Sequence, residues 1–101
     1  MVTKFQERVY EHLTKRVPKG KVTTYGAIAR ALDSSPRAVG GALKRNPYAP
    51  KVPCHRVVAG DGSIGGFNGF TSGPDVERKI RILKSEGVKI ENGRISKSFM
   101  V

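Results

Sequence analysis

The sequence contains one cysteine, which is followed directly by a histidine and an arginine in the run Pro53-Cys54-His55-Arg56. A lone thiol can accept a transferred group, but it cannot form an intrachain disulfide or a metal site built from several thiolates. A nearby histidine can act as the base that removes the thiol proton. The alternative is a cysteine that only packs, because a single cysteine among valines is often a small buried side chain. The choice between these interpretations depends on the rest of the chain.

Basic residues are concentrated around this cysteine. The chain of 101 residues has 19 Lys+Arg against 8 Asp+Glu, which gives a formal net charge of +11. No acidic residue lies between Asp33 and Asp61, whereas that interval contains the basic residues Arg37, Lys44, Arg45, Lys51 and Arg56. Such an excess favours a polyanionic partner, and nucleic acid is the leading candidate. A basic surface that serves only solubility is the alternative.

Length and composition indicate one compact domain that spans residues 1–101. No apolar run approaches the roughly 18 residues of a membrane span, and no signal-peptide pattern opens the chain, so we expect no membrane partner. The expected location is the reducing cytoplasm, in association with the nucleoid, or the nucleus if the source is eukaryotic. One cysteine and two distant histidines cannot supply a four-ligand zinc set without several carboxylates, so we expect no metal.

Helical spacing and capping residues predict three helices in the first half of the chain. Apolar residues recur every three to four positions from Thr3 to about Arg16. Thr24 can cap a second helix that continues to Leu32, and Ser35 can cap a third helix that runs to about Arg45. Two short helices across a tight polar turn predict a helix-turn-helix over about residues 24–45.

The third predicted helix has an unusual outer face. Gly40 and Gly41 each cost about 1 kcal/mol relative to alanine inside a helix, so something must compensate for them. Val39 and Leu43 share the inner side, whereas the opposite side carries Arg37, Ala38, Gly41, Lys44 and Arg45. A face that is small at its centre and basic at its ends suits close approach to a sugar-phosphate groove. Close packing of another helix against the glycines is the alternative.

The second half of the chain is predicted to begin with an active-site loop over about residues 46–58, in which three prolines exclude regular structure. Within it, an extended Cys54-His55 segment would point the two side chains apart, so a bridging water is expected between them. A fourth helix is predicted from Pro74 to about Lys84, followed by a hairpin around Asn92-Gly93. The predicted class is mostly α, a winged-helix-like helix-turn-helix domain with a short C-terminal β-hairpin.

Four motifs in order resemble a known family. They are Arg37-Ala38-Val39-Gly40-Gly41-Ala42, Asn46-Pro47, Pro53-Cys54-His55-Arg56-Val57-Val58, and a glycine-rich loop followed by Glu86-Gly87. Together they resemble the C-terminal DNA-binding and active-site domain of the O6-alkylguanine-DNA alkyltransferases, also called methylated-DNA-protein-cysteine methyltransferases. The resemblance covers about Phe5 to Gly87. It implies a monomer that acts on double-stranded DNA containing O6-alkylguanine without a cofactor, with other repair proteins as possible downstream partners.

The resemblance implies a role for each residue of the predicted site. Cys54 would accept the methyl group, and His55 would act as the base through a bound water. Glu86 would orient His55, Asn46 would hold the active-site loop, and Tyr25 would contact the flipped guanine. These five residues are the predicted catalytic set.

The resemblance also implies how DNA is held. Arg37 would enter the base stack in place of the extruded nucleotide while the third helix lies in the minor groove. The remaining predicted DNA contacts are Ala38, Gly41, Lys44, Arg45 and Arg56. The substrate pocket would be formed by Tyr25, Val57, Phe67 and Asn68.

Some features depart from the family pattern and keep alternatives open. Phe67 stands where many relatives have Tyr, Asn68 replaces a common Ser, and Phe70 stands where Gly is frequent. Most relatives carry a further N-terminal domain, and in length the chain is similar to the alkyltransferase-like proteins, which bind the same lesions but lack the cysteine. A non-enzymatic lesion-binding protein is therefore the second hypothesis. A helix-turn-helix transcription regulator is the third, disfavoured because a glycine-rich helix has few side chains that read base edges.

Overall fold

The computed structural model of the chain describes residues 2–48, 51–64 and 73–101. The predicted pocket residues Phe67 and Asn68, and the departure at Phe70, lie outside the described residues. The described part contains four α-helices and two pairs of very short strands. It confirms the predicted mostly-α, helix-turn-helix class with a C-terminal hairpin. No helix within it is long and apolar enough to cross a membrane.

A hydroxyl side chain caps the N-terminus of each of the first three helices. These helices, α1, α2 and α3, span Lys4–Arg16, Tyr25–Ala31 and Pro36–Lys44. Thr3, Thr24 and Ser35 respectively accept a hydrogen bond from a first-turn backbone N–H, which has no partner inside the helix. Asp33, at φ 53°, occupies the left-handed region in the tight turn between α2 and α3. The three predicted helices are confirmed.

The inner faces of these helices form the first of two apolar cores. Its members include Val9, Tyr10, Leu13, Ile28, Ala29, Val39, Ala42, Leu43, Cys54 and Val57. A hydrogen bond also crosses this core, because the Tyr10 hydroxyl donates to the Ala42 carbonyl oxygen at 2.7 Å. This bond links α1 to α3 inside the core. The core thus places Cys54 against the helix-turn-helix.

A short parallel strand pair connects the helix-turn-helix to the site. Strand β1 (Thr23–Thr24) ends where α2 begins, and it pairs with β2 (Val57–Val58). The residues Cys54–Arg56, directly before β2, form one turn of 3-10 helix. The prediction of an extended Cys54-His55 segment is therefore wrong: the Arg56 N–H bonds to the Pro53 carbonyl at 3.0 Å and closes the turn.

The C-terminal third forms a second core beneath this strand pair. It contains the helix α4 and the strands β3 and β4, which span Pro74–Ser85, Ile90–Glu91 and Arg94–Ile95. Asn92 and Gly93 connect the strands at φ 52° and 74°, as expected for a tight hairpin turn. The buried residues of this core are Val22, Val58, Ile64, Leu83, Val88 and Ile95. The predicted fourth helix and hairpin are confirmed.

Helix α4 buries a lysine on its inner face. Lys79 is 0% exposed, and its Nζ donates hydrogen bonds of 2.7 Å to the carbonyl oxygens of Val57 and Ile64. Burial lowers the pKa of Lys79 from 10.5 to about 8, although the nearby Cys54 opposes the shift. The lysine therefore ties α4 to β2, the strand that follows the 3-10 turn.

Replacement of Lys79 by Met should change the pH dependence of stability. The unfolded chain keeps this proton up to about pH 10.5, whereas the folded chain releases it near pH 8. The unfolded state therefore binds more protons between these values, and the contribution of Lys79 to stability rises with pH. The advantage of the wild type over Lys79→Met should grow by on the order of 2 kcal/mol from about pH 7 to about pH 10.

This change can be measured by urea unfolding at a series of pH values. Lys84→Met, on the exposed side of the same helix, is the matched control and should follow the wild type. A difference between wild type and Lys79→Met that stays constant with pH would contradict the expectation.

Candidate active site

Cys54 begins the 3-10 turn, and only 7% of the residue is exposed. Burial raises the pKa of its thiol, and a hydrogen bond with Asn46 and the positive charge of Lys79 offset only part of this effect. The thiol is therefore protonated at neutral pH. Nucleophilic chemistry at this sulfur needs a neighbouring base.

Asn46 holds the loop that leads from α3 to the thiol. Its Nδ2 donates to the Val52 carbonyl oxygen at 3.1 Å, and its Oδ1 accepts from the Tyr48 N–H at 2.9 Å. Its side chain also lowers the pKa of the nearby Cys54 thiol. One amide side chain therefore joins the described parts of the loop on both sides of residues 49–50. The predicted loop-holding position of Asn46 agrees with this geometry.

His55 points away from solvent toward the end of α4. Its Nε2 lies 3.0 Å from Oε1 of Glu86, and both side chains are less than one tenth exposed. A carboxylate can only accept a hydrogen bond, so Nε2 carries the hydrogen and Nδ1 keeps a free lone pair. Burial, together with the charges of Arg56 and Lys79, lowers the pKa of His55 below its usual value, although Glu86 opposes the shift. His55 is therefore neutral at neutral pH and suited to accept a proton at Nδ1.

Arg56 also binds the Glu86 carboxylate. Its Nε lies 3.0 Å from Oε1 of Glu86 and its Nη2 lies 2.8 Å from Oε2, which is a two-pronged ion pair. Its Nη1 donates to the Val17 carbonyl oxygen at 2.9 Å. The side chain is 14% exposed. This geometry speaks against the predicted DNA contact by Arg56, because the guanidinium is engaged inside the protein.

Tyr25 and Val57 both lie near Cys54: the Cys54 thiol affects the pKa of Tyr25, and the Val57 backbone N–H donates to the Cys54 carbonyl oxygen. Tyr25 is the first residue of α2 and is half-buried against the first core. Burial, followed by the nearby Cys54, raises the pKa of its hydroxyl, so the phenol remains a proton donor near the sulfur. Val57 is fully buried, and its carbonyl oxygen already accepts from Lys79. The structure thus brings two of the four predicted pocket residues to Cys54.

The predicted DNA-binding face of α3 is on the surface. Arg37, Ala38, Lys44 and Arg45 are exposed and Gly41 is half-buried, whereas Val39, Ala42 and Leu43 pack inward. Ala42 is a core residue that the sequence analysis did not single out. A Cβ at Gly40 would meet nothing within 4 Å, and one at Gly41 would meet only Nη1 of Arg45 at 3.4 Å. Among residues 2–48, 51–64 and 73–101, no helix packs on these glycines, which contradicts the alternative of glycine-mediated helix packing within this part of the chain.

The sequence analysis did not single out Lys79, and it gave Arg56 a different role from the one that its contacts indicate. Lys79 lies three positions after Val76 and four before Leu83, so the periodicity itself placed it on the inner face of α4. Its charge argued for an exposed position. Arg56 carried no local signal for its pairing, because Glu86 is 30 residues away. Among the described residues, no group of three or more His, Cys, Asp or Glu can hold a metal ion.

Comparison with known proteins identifies the same family that the four sequence motifs resemble. The model of the family described as 6-O-methylguanine DNA methyltransferase, DNA binding domain, matches residues 4–88. The methylated-DNA–protein-cysteine methyltransferase of Thermococcus kodakarensis is 57% identical over 88 residues, which are 87% of this chain and 47% of that protein.

Crystal structures of similar proteins include complexes with DNA. Mycobacterium tuberculosis OGT in complex with DNA is 38% identical with a TM-score of 0.72, over 83% of this chain and 50% of that one. S. pombe ATL in complex with DNA is 32% identical with a TM-score of 0.80, over 97% of this chain and 94% of that one.

The extent of these matches differs between the two groups. The chain spans about half the length of the curated methyltransferases that it matches, but almost the whole S. pombe chain. The resemblance inferred from the four motifs is confirmed. By its sequence and its fold, the chain belongs to the family of the 6-O-methylguanine DNA methyltransferase DNA-binding domain.

Proposed function

We propose that this chain is a DNA-repair domain that extrudes O6-alkylguanine from duplex DNA and transfers the alkyl group to its own Cys54. The observation that carries the proposal is a buried thiol directly before a neutral histidine whose Nε2 is bound to a carboxylate. We further propose that residues 1–101 act as one domain and as a monomer on double-stranded DNA. Such a partner implies a location at the nucleoid, or in the nucleus of a eukaryote.

The thiol is activated by transfer of its proton. Because burial raises the pKa of Cys54, the sulfur is a weak nucleophile until a base acts on it. Nδ1 of His55 accepts the proton through a bridging water, while Glu86 accepts a hydrogen bond from Nε2 and stabilises the imidazolium that forms. The sulfur then forms a bond to the alkyl carbon as the bond from that carbon to O6 breaks.

The leaving guanine takes on negative charge as the bond to O6 breaks. The Tyr25 hydroxyl is a proton donor beside the sulfur and donates to the purine as the charge develops. The backbone carbonyls of Cys54 and Val57 accept hydrogen bonds from the guanine amino group, with Val57 using its second lone pair because Lys79 occupies one. Phe67 and Asn68 complete the pocket in this proposal.

The target base lies inside a stacked duplex, so it must be turned out before the thiol can reach it. Unstacking costs a few kcal/mol, which DNA contacts must offset. The exposed face of α3 lies in the minor groove, where Gly41 allows close approach of the backbone and Lys44 and Arg45 pair with phosphates. Arg37, exposed at the start of α3, fills the gap in the stack.

The product is a thioether, which has no easy leaving group, and the chain has no second thiol to reverse the transfer. Each protein molecule therefore acts once. A second candidate function is recognition of the lesion without transfer, after which other repair proteins complete the repair. The match to almost the whole S. pombe ATL chain favours this candidate. The intact set of Cys54, His55 and Glu86 favours the enzyme.

Incubation with a duplex containing O6-methylguanine should add one methyl group to Cys54 and then stop. The expected measurement is intact-protein mass followed by peptide mapping, with the transferred methyl reaching one equivalent per protein molecule. Cys54→Ala should accept no methyl but should keep its preference for lesion-bearing duplex, because the basic face is unchanged. Several turnovers, or a methyl group on another residue, would refute the mechanism.

Arg37→Ala should slow transfer from duplex DNA far more than transfer from a free alkylated guanine base. Only the duplex requires extrusion, and the lost support should slow the duplex reaction by about 10- to 100-fold. Single-turnover rates on the two substrates test this expectation. Arg16→Ala, which removes an exposed arginine at the end of α1, is the control. Equal losses on both substrates would exclude extrusion as the role of Arg37.

Gly41→Ala should stabilise the protein and weaken its binding to DNA. Space for a Cβ exists in the free protein, so the helix gains about 1 kcal/mol, while the added methyl meets the groove wall. We expect a higher melting temperature and a dissociation constant for duplex DNA that rises on the order of tenfold. Gly40→Ala is the matched control, because Gly40 lies beside the basic outer face of α3. We expect the same gain in stability and an unchanged affinity for DNA. Parallel behaviour of both variants would remove Gly41 from the interface.

A further inference from the structure

We propose that Arg56 is a positioning residue of the transfer reaction, which fixes the Glu86 carboxylate so that His55 presents Nδ1 as the base. The proposal rests on the proposed function and deepens it. It replaces the DNA contact predicted for this arginine, and it assigns the residue after the Cys-His pair to the same chemistry as that pair.

The two prongs of the guanidinium define the plane of the carboxylate. Oε2 of Glu86 accepts from Nη2 at 2.8 Å, and Oε1 accepts from Nε at 3.0 Å. The same Oε1 lies 3.0 Å from Nε2 of His55. Because both oxygens are bound, the carboxylate cannot rotate without breaking an ion-paired hydrogen bond. Oε1 is thus held where His55 needs an acceptor.

A third bond fixes the arginine itself. Its Nη1 donates at 2.9 Å to the carbonyl oxygen of Val17, the residue that caps the C-terminal end of α1. The backbone of Arg56 closes the 3-10 turn that also contains Cys54 and His55. The guanidinium is therefore anchored at its backbone, at α1 and at α4. The position of the Glu86 carboxylate is therefore fixed relative to α1 and to the 3-10 turn.

Glu86 needs such a partner, because it sits where a carboxylate is disfavoured. It caps the C-terminal end of α4, next to the unpaired carbonyl groups and the negative end of the helix dipole. Gly87, at φ 92°, turns the chain away directly after it. Burial raises the pKa of Glu86, but the hydrogen bonds from Arg56 and His55 outweigh this effect and lower it. The carboxylate therefore stays ionised and accepts rather than donates.

The charge of Arg56 also lowers the pKa of His55. The charged groups that act on His55 are Glu86 from the end of α4, Lys79 from its inner side, and the adjacent Arg56, while Cys54 precedes it in the same turn. Burial lowers the pKa of His55, Glu86 raises it, and the charges of Arg56 and Lys79 lower it again. Without the guanidinium, the full negative charge of Glu86 would act on the imidazole. His55 would then remain protonated at a higher pH and would be lost as a base there.

The test compares Arg56→Gln and Arg56→Lys with the wild type in single-turnover methyl transfer across a range of pH. Arg56→Gln loses both the charge and the fork, so its rate at about pH 6 should fall about tenfold or more, and the acidic limb of its pH profile should move to higher pH. Arg56→Lys keeps the charge but not the fork, so it should be slower at every pH with little movement of the limb. Arg81→Met, on the exposed side of α4, controls for the loss of one positive charge.

Two substrates separate this role from a DNA contact. Transfer from a free alkylated guanine base and transfer from duplex DNA should fall by the same factor in Arg56→Gln, while the affinity for duplex DNA stays unchanged. Weaker DNA binding with normal transfer from the free base would overturn the proposal and restore the DNA contact. Absence of transfer in the wild type would instead defeat the proposed function itself.

A spectroscopic measurement excludes a purely structural role. Nitrogen NMR of imidazole in a His12→Gln background reports His55 alone, because the chain has two histidines. The titration midpoint of His55 should rise in Arg56→Gln, and the Nε2–H tautomer should lose its dominance. An unchanged midpoint and tautomer in the folded variant would overturn the proposal. If Arg56→Gln does not fold, an unchanged rate in folded Arg56→Lys would overturn it equally.

Discussion

The neutral imidazole of His55 and the guanidinium of Arg56 both bind the carboxylate of Glu86 at the end of α4. This shared carboxylate of Glu86 joins three elements that are far apart in the sequence: the turn that carries Cys54, the end of α1 through Val17, and the last turn of α4. Each of these side chains stabilises another in a state that burial or the helix end disfavours. The Arg56 guanidinium and the His55 N–H keep the carboxylate ionised at the C-terminal end of a helix, where a negative charge is disfavoured, and the carboxylate keeps the buried histidine in one tautomer. Because the turn also contains the thiol, its geometry depends on this ion pair.

The burial of Cys54 determines what kind of reaction the site can support. A thiol with a raised pKa resists adventitious oxidation and alkylation, because the thiolate is the reactive form. In the proposed reaction, activation therefore requires a substrate, a bridging water and His55 in one arrangement. Retention of Cys54 with its base is the observation that favours the enzyme over the lesion binder in the proposed function.

Helix α3 keeps an open outer face at a cost in helix stability. Two consecutive glycines weaken α3, and among the described residues only Nη1 of Arg45 lies within 4 Å of a Cβ added at either of them. The cost is offset by the Ser35 cap, by Pro36 at the first helical position and by the buried Val39, Ala42 and Leu43. A helix whose inner face is fully packed tolerates a bare outer face. That arrangement presents a smooth, positively charged surface without long side chains at its centre.

Local interactions account for what the sequence by itself determined. Capping hydroxyls at Thr3, Thr24 and Ser35, the spacing of apolar residues and the Asn92-Gly93 turn act within a few residues, so they predict the helices and the hairpin from short windows. The order of the motifs likewise identifies the family. Only the tertiary structure decided where the charges of Lys79 and Arg56 lie, because a buried cation needs acceptors that come from distant segments. Lys79 finds the carbonyls of Val57 and Ile64, and Arg56 finds a carboxylate 30 positions away. The pairing of β1 with β2 and the 3-10 turn at Cys54 depend on the same long-range packing, which short-range propensity does not encode.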